Sequence, residues 1–99
     1  MNFKQKVYRK LKAVPKGKVI TYKNLAKAVN SEAYRSVGSC MKTNKDPKNI
    51  PCYKVINSDG KIGSYSATGG IKKKISLLKK DNIEVENKKV DLVKYGFRF

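Results

Sequence analysis

TYKNLAKAVNSEAYRSVGSCMK, residues 21–42, is the stretch whose reading decides the fold. Thr21 is placed to cap a helix running roughly from Tyr22 to Val29, with Leu25, Ala26 and Val29 facing inward at helical spacing. Asn30-Ser31 is a tight turn, and Ser31 is placed to cap a further helix from about Glu32 to Lys42. The second of these helices is rich in small side chains, Ser36, Gly38 and Ser39. Two short helices joined by so few residues form a helix-turn-helix pattern.

Upstream, Asn2 caps a helix on which Phe3, Val7, Tyr8, Leu11 and Val14 recur on one face. Pro15-Lys16-Gly17-Lys18 ends it, and Val19-Ile20 is a short apolar link. Downstream, residues 43–51 are polar and turn-rich, and Pro51-Cys52-Tyr53-Lys54-Val55-Ile56 reads as a short extended segment. The turn Asn57-Ser58-Asp59-Gly60 leads into a glycine-rich shaped loop, residues 61–70. A last helix runs from about Ile71 to Lys80, with Ile71, Ile75 and Leu78 on one face. Ile83–Glu86 and Lys89–Leu92 suggest a small hairpin or extended tail around Asn87-Lys88. The expectation is one domain over residues 1–99, without a separate N-terminal domain: a mostly helical α/β unit, winged-helix-like, with one or two short strand pairs.

Charge narrows the partners. Twenty-four Lys and Arg against seven Asp and Glu give +17 in 99 residues, and nine of the cations precede the first acidic residue, Glu32. Such a balance attracts polyanions, nucleic acid foremost, through phosphate neutralisation and counterion release. No histidine is present, which removes every Cys-His and Ser-His catalytic pair and the usual imidazole metal ligands. Cys40 and Cys52 form neither a C-x-x-C pair nor a disulfide framework. Cys40 reads as core, and Lys72-Lys73-Lys74 as a solvated face. No Gly-Lys-Ser/Thr follows the Ser66–Gly70 loop, so nucleotide binding is set aside. No apolar run approaches a membrane span and no secretory signal opens the chain, so the expected location is intracellular: cytoplasm or nucleoid, or nucleus in a eukaryote.

Pro51-Cys52-Tyr53-Lys54-Val55, preceded by Asn44 and followed by Gly63-Ser64-Tyr65-Ser66, resembles the active-site region of O6-alkylguanine–DNA alkyltransferases, whose signature is P-C-H-R-V. The resemblance extends along the chain. Lys16-Gly17-Lys18-Val19 and Thr21-Tyr22 resemble the start of the family's helix-turn-helix, Arg35-Ser36-Val37-Gly38 the head of its recognition helix, and Gly70 to Leu78 its final helix.

The resemblance implies roles. Cys52 would be the nucleophile taking an alkyl group from the base in one irreversible transfer. Arg35 would fill the stack vacated by the extruded nucleotide, and Tyr22 would help rotate the phosphate. Asn44 would tie the recognition helix to the cysteine loop. Tyr65 and Ser66 would contact the base oxygen, with Tyr65 as proton donor. Val55, through its backbone, and Ser66, Pro51 and Met41 would line the substrate pocket. Ser36, Ser39, Lys16 and Lys18 would join Arg35, Tyr22 and Asn44 in contacting DNA. Extrusion costs a few kcal/mol, which an intruding arginine offsets in part, and small residues let the helix approach the minor groove.

Two departures stand out. Tyr53 replaces the family histidine that, through a water, helps withdraw the thiol proton, and Lys54 replaces an arginine. Asp81 falls near the place of the glutamate behind that histidine, so Tyr53 and Asp81 join the catalytic candidates, with Tyr53 relaying a proton between Cys52 and Asp81. Tyrosine, with a pKa of about 10, is a poor base at neutral pH. Typical alkyltransferases also carry an additional N-terminal domain. In this respect the chain resembles the short alkyltransferase-like proteins, which bind alkylated DNA without repairing it.

Three functions follow as expectations. The first is stoichiometric removal of an alkyl group from guanine O6 onto Cys52, by a monomer acting on double-stranded DNA with no metal or cofactor. The second is a non-enzymatic damage sensor that flags alkylated DNA to excision-repair proteins. The third is a general basic DNA-binding protein of chromatin type.

Overall fold

A computed structural model describes residues 1–99. The first helix, α1 (Phe3–Lys12), starts where Asn2 predicts: Asn2 Oδ1 accepts the Gln5 N–H at 2.8 Å, and Gln5 returns the bond to the Asn2 N–H. This reciprocal box satisfies two of the donors a helix start leaves open. Val7 and Leu11 are fully buried on its inner face. Thr21 likewise caps α2 (Tyr22–Ala28) by accepting the Asn24 N–H.

The helix of the small side chains, α3, spans Tyr34–Lys42, two residues shorter at its start than the sequence suggests. Ser31 does not cap it. Its hydroxyl accepts the Ala33 N–H in a local turn, and Asn30 adopts a left-handed conformation before it. Together α2 and α3 form the helix-turn-helix, and α1 packs against both.

The Val19-Ile20 link is partly a strand. β1 (Ile20–Thr21) pairs in parallel with β2 (Val55–Ile56), Ile20 opposite Val55 and Thr21 opposite Ile56. Because successive strand residues face opposite ways, this small pair divides two cores. Ile20 and Val55 join Val7, Leu11, Leu25, Val37 and the two cysteines on the helix-turn-helix side. Val19 and Ile56 join Ile62, Leu78, Ile83, Val90 and Tyr95 on the other. The Cys52 segment is not extended as expected. Cys52–Lys54 form a single 3-10 turn, the Cys52 N–H bonded to Ile50 O and the Lys54 N–H to Pro51 O.

The last long helix, α4, covers Gly70–Lys80 and starts from Gly69 at φ +100°. A Cβ at Gly69 would sit 2.5 Å from Lys73 Cβ, so no other residue fits that entry. The face of α4 differs from expectation: Ile71 is exposed, whereas Lys74 is 1% exposed. The 83–92 segment makes bridges rather than strands, Glu86 with Lys89 around Asn87-Lys88 and Lys89 with Lys61. A short helix that sequence reading did not register, α5 (Leu92–Tyr95), follows, its N-terminus capped by the Asp91 carboxylate. The chain end returns to the strands, Phe97 N–H bonding Val19 O. No helix is long and apolar enough to cross a membrane.

Candidate nucleic-acid interface and reactive cysteine

Cys52 stands where the loop leaving α3 meets β2. Asn44, just past the end of α3, fixes that loop: its amide donates to Ile50 O at 2.9 Å and its carbonyl accepts the Asp46 N–H at 2.9 Å. The cysteine is 7% exposed and packs against the helix-turn-helix core. It also lines a cleft of about 320 Å³. Tyr22 and Met41 bring α2 and α3 to this cleft, and Tyr65 and Ser66 bring the glycine-rich loop. The sulfur residue is thus on the floor of a cavity, not on the open surface.

Tyr22 and Tyr65 keep their protons. Burial first, then the closeness of Cys52, pushes the pKa of both Tyr22 and Tyr65 above the ordinary phenol value. Tyr65 is therefore a hydrogen-bond donor at neutral pH. Both cysteines are free; burial also raises the Cys40 thiol, in keeping with its place in the core.

Tyr53, one residue on, turns the other way. It packs against the second core, and its hydroxyl donates a short hydrogen bond to an Asp81 carboxylate oxygen. Burial and then Asp81 push its pKa far up, so the phenol stays neutral.

Two lysines are buried with no carboxylate bonded to either. Lys54, the residue in place of the family arginine, reaches the end of α1 and donates to Val14 O at 3.1 Å and Pro15 O at 3.4 Å. Burial lowers its pKa. Lys74 donates to the carbonyls of Val55 (2.8 Å), Ile62 and Ser64 (3.1 Å), joining β2 to the loop that carries Tyr65. Burial brings its pKa down to about 8, with the nearby Cys52 opposing the shift. The reading of Lys72-Lys73-Lys74 as one solvated face holds for the first two and fails for Lys74, since only its three carbonyl partners make a buried ammonium tolerable.

Several candidates lie elsewhere than expected. Val55 does not line the cleft: it is fully buried, with its carbonyl engaged by Lys74. Pro51, the residue that precedes the 3-10 turn, is also absent from the lining. Lys16 and Lys18, expected as DNA contacts and not as cleft residues, are not among the residues lining it. The Lys18 ammonium binds Lys94 O at 3.1 Å, and Lys16 is close enough to Lys54 to disfavour its charge. Arg35, Ser36 and Ser39 are exposed on α3, with the Ser39 hydroxyl turned back to Arg35 O at 3.4 Å. Sequence reading missed Tyr34, Lys42, Asn57 and Ser64, all of which line the cleft. Tyr34 falls three residues before the buried Val37, a spacing that gives no sign that its ring faces the cleft.

A sequence profile described as "6-O-methylguanine DNA methyltransferase, DNA binding domain" matches residues 2–83. The chain belongs to this family. A bifunctional methyltransferase/endonuclease of Picrophilus torridus is 46% identical over 92 residues, 92% of this chain and 30% of that protein. A methylated-DNA–protein-cysteine methyltransferase of Thermococcus kodakarensis is 46% identical over 83% of this chain and 45% of that protein. The chain thus spans less than half the length of these family members. S. pombe Atl1, solved in complex with damaged DNA containing O6-carboxymethylguanine, superimposes with a TM-score of 0.88 at 29% identity, covering 98% of this chain and 95% of that one. The mostly helical, helix-turn-helix architecture is shared with these alkyltransferase-type domains.

Proposed function

We propose that residues 1–99 act as one DNA-repair unit that binds duplex DNA through α3 and transfers an alkyl group from guanine O6 to Cys52. The observation that carries this reading is Cys52, almost buried, lining a cleft that α3 also lines through Tyr34, Gly38, Met41 and Lys42. Arg35, exposed as the second residue of α3, is free to enter a base stack. The remaining positive charge holds the phosphates.

In the transfer, a bond forms between the Cys52 sulfur and the alkyl carbon as the bond from that carbon to guanine O6 breaks. The electron pair of the broken bond stays on the base. The thiol proton leaves sulfur, and guanine takes up one proton, so charge balances without any further reactant. Tyr65, neutral and beside the cleft, stabilises the departing oxygen by donating a hydrogen bond. Tyr53 and Asp81 serve as a positioning pair that anchors the Cys52 turn to α4, since a phenol that donates to a carboxylate is no base for the thiol.

That same absence of a base favours the second reading, a sensor that holds alkylated DNA without repairing it, and the likeness to Atl1 along nearly both chains supports it too. The two separate by stoichiometry. Protein is mixed with an excess of a duplex carrying one O6-methylguanine, and restored guanine is counted against protein added. Repair predicts restoration that saturates at one guanine per protein molecule. Tight lesion-selective binding with no guanine restored selects the sensor.

A further inference from the structure

The aromatic ring at the head of α3 has no structural work that accounts for it. Tyr34, Val37 and Met41 recur at helical spacing, and the latter two are buried at 0% and 8% exposure. Tyr34 continues the same stripe yet is 51% exposed. A tyrosine on a core stripe ordinarily hides most of its ring, because burial of aromatic area is what the stripe supplies. The ring pairs of the chain involve Phe97 with Phe99 and lysines with Tyr8, Phe99 and Tyr95, and leave Tyr34 unengaged.

Its position is specific. Tyr34 lines the Cys52 cleft and also a neighbouring groove of about 460 Å³ that holds Lys23, Ser58 and Asp59. Tyr22 and Asn57 belong to both as well. Tyr34 therefore stands on the rim the two depressions share, one residue before the exposed Arg35.

We infer that Tyr34 is a specificity-determining residue: its ring forms a stacking wall at the mouth of the cleft for the nucleobase extruded towards Cys52. This rests on the reading of the chain as an alkyltransferase-type DNA-binding unit and adds a subsite to it. A base drawn out of a duplex loses its stacking partners on both faces. An arginine inserted behind it compensates the duplex, not the base. An aromatic ring at the entrance restores one face of the base, and every base has a π-face to offer. A hydroxyl contact to phosphate would need only the tip of the side chain and would act on damaged and undamaged duplexes alike.

The test is equilibrium binding in a Cys52→Ser background, where no transfer intervenes. The probes are a duplex with one O6-methylguanine and the same duplex with guanine. The parent is expected to prefer the damaged duplex. Tyr34→Ala and Tyr34→Leu should each weaken binding to the damaged duplex about tenfold, as loss of one base–ring stack implies, leaving the undamaged duplex unchanged. Tyr34→Phe should retain full preference. The inference is overturned if alanine leaves the preference intact, if both duplexes weaken equally, or if phenylalanine loses as much as alanine. A parent without preference contradicts the underlying function instead, before Tyr34 is touched. The exposure of Tyr34 makes folded variants the expected outcome, and their thermal unfolding midpoints check it.

Discussion

Asp81, which ends α4, accepts a hydrogen bond from the hydroxyl of Tyr53, which neighbours Cys52, so the Cys52 turn and the last long helix are joined by one hydrogen bond. Cys52 and Tyr53 are adjacent in sequence and face different cores, the cysteine the cleft and the tyrosine the Leu78–Ile83 side. A 3-10 turn does this, since side chains one residue apart diverge by about a third of a revolution. The aromatic residue after the cysteine is thus a tether.

From that tether follows a split between stability and rate. Tyr53→Phe leaves the Asp81 carboxylate without its donor, and stability should fall by about 1–3 kcal/mol. The rate of transfer, measured below the melting range, should change less than about tenfold, since a general base contributes at least 10²-fold and Tyr53 is none. Chemical denaturation and single-turnover kinetics on the same variant check both halves.

Lys74 gives a signed pH dependence. Its folded pKa of about 8 is below the unfolded value near 10.5, so the folded state releases its proton first as pH rises. Between pH 8 and 10.5 the unfolded chain binds more protons at this site, and its contribution to stability grows with pH. Relative to Lys74→Met, the wild-type protein should gain about 3 kcal/mol across that window, with the penalty for the buried charge fully present below pH 8. Taking the difference between the two proteins cancels the titrating groups that do not act on Lys74, which include the raised Cys40 thiol. Urea denaturation at several pH values measures it.

How much of this the sequence disclosed depends on the kind of signal. Caps and stripes were legible: Asn2 and Thr21 begin helices where expected, and Val7, Leu11, Leu25 and Ala26 are core. Their cause is local, so local reading suffices. Lys74 was missed because three consecutive lysines read as solvent-facing, although position 74 lies between Ile71 and Leu78 at spacings of three and four. Its burial depends on carbonyls from residues 55, 62 and 64, which only the tertiary fold assembles. The strand character of Ile20–Thr21 was hidden similarly, its partner being 35 residues away at Val55–Ile56. Within the candidate site, Cys52, Tyr22, Met41, Tyr65 and Ser66 were legible and converge on one cleft, while Val55 and Pro51 are not among its lining residues.

Asn44 should matter through the backbone. Asn44→Ala removes a part-buried bond to Ile50 O and is expected to cost about 1–2 kcal/mol. Asn44→Asp should cost more, because a carboxylate oxygen would then face the Ile50 carbonyl. Hydrogen exchange in both variants should accelerate at residues 46–52 before it does in α1.

Arg35 should matter only with DNA present. It is exposed at the start of α3, so Arg35→Ala should leave stability within about 0.5 kcal/mol. Affinity for a lesion-bearing duplex should fall about tenfold, measured by fluorescence anisotropy at fixed salt.

The most direct measurement is peptide mass mapping of the protein after exposure to a duplex containing O6-methylguanine. One added methyl group on the peptide bearing Cys52, none on that bearing Cys40, and no adduct in Cys52→Ser is the predicted result. An unmodified Cys52 after prolonged exposure, with the lesion intact in the DNA, would contradict the account.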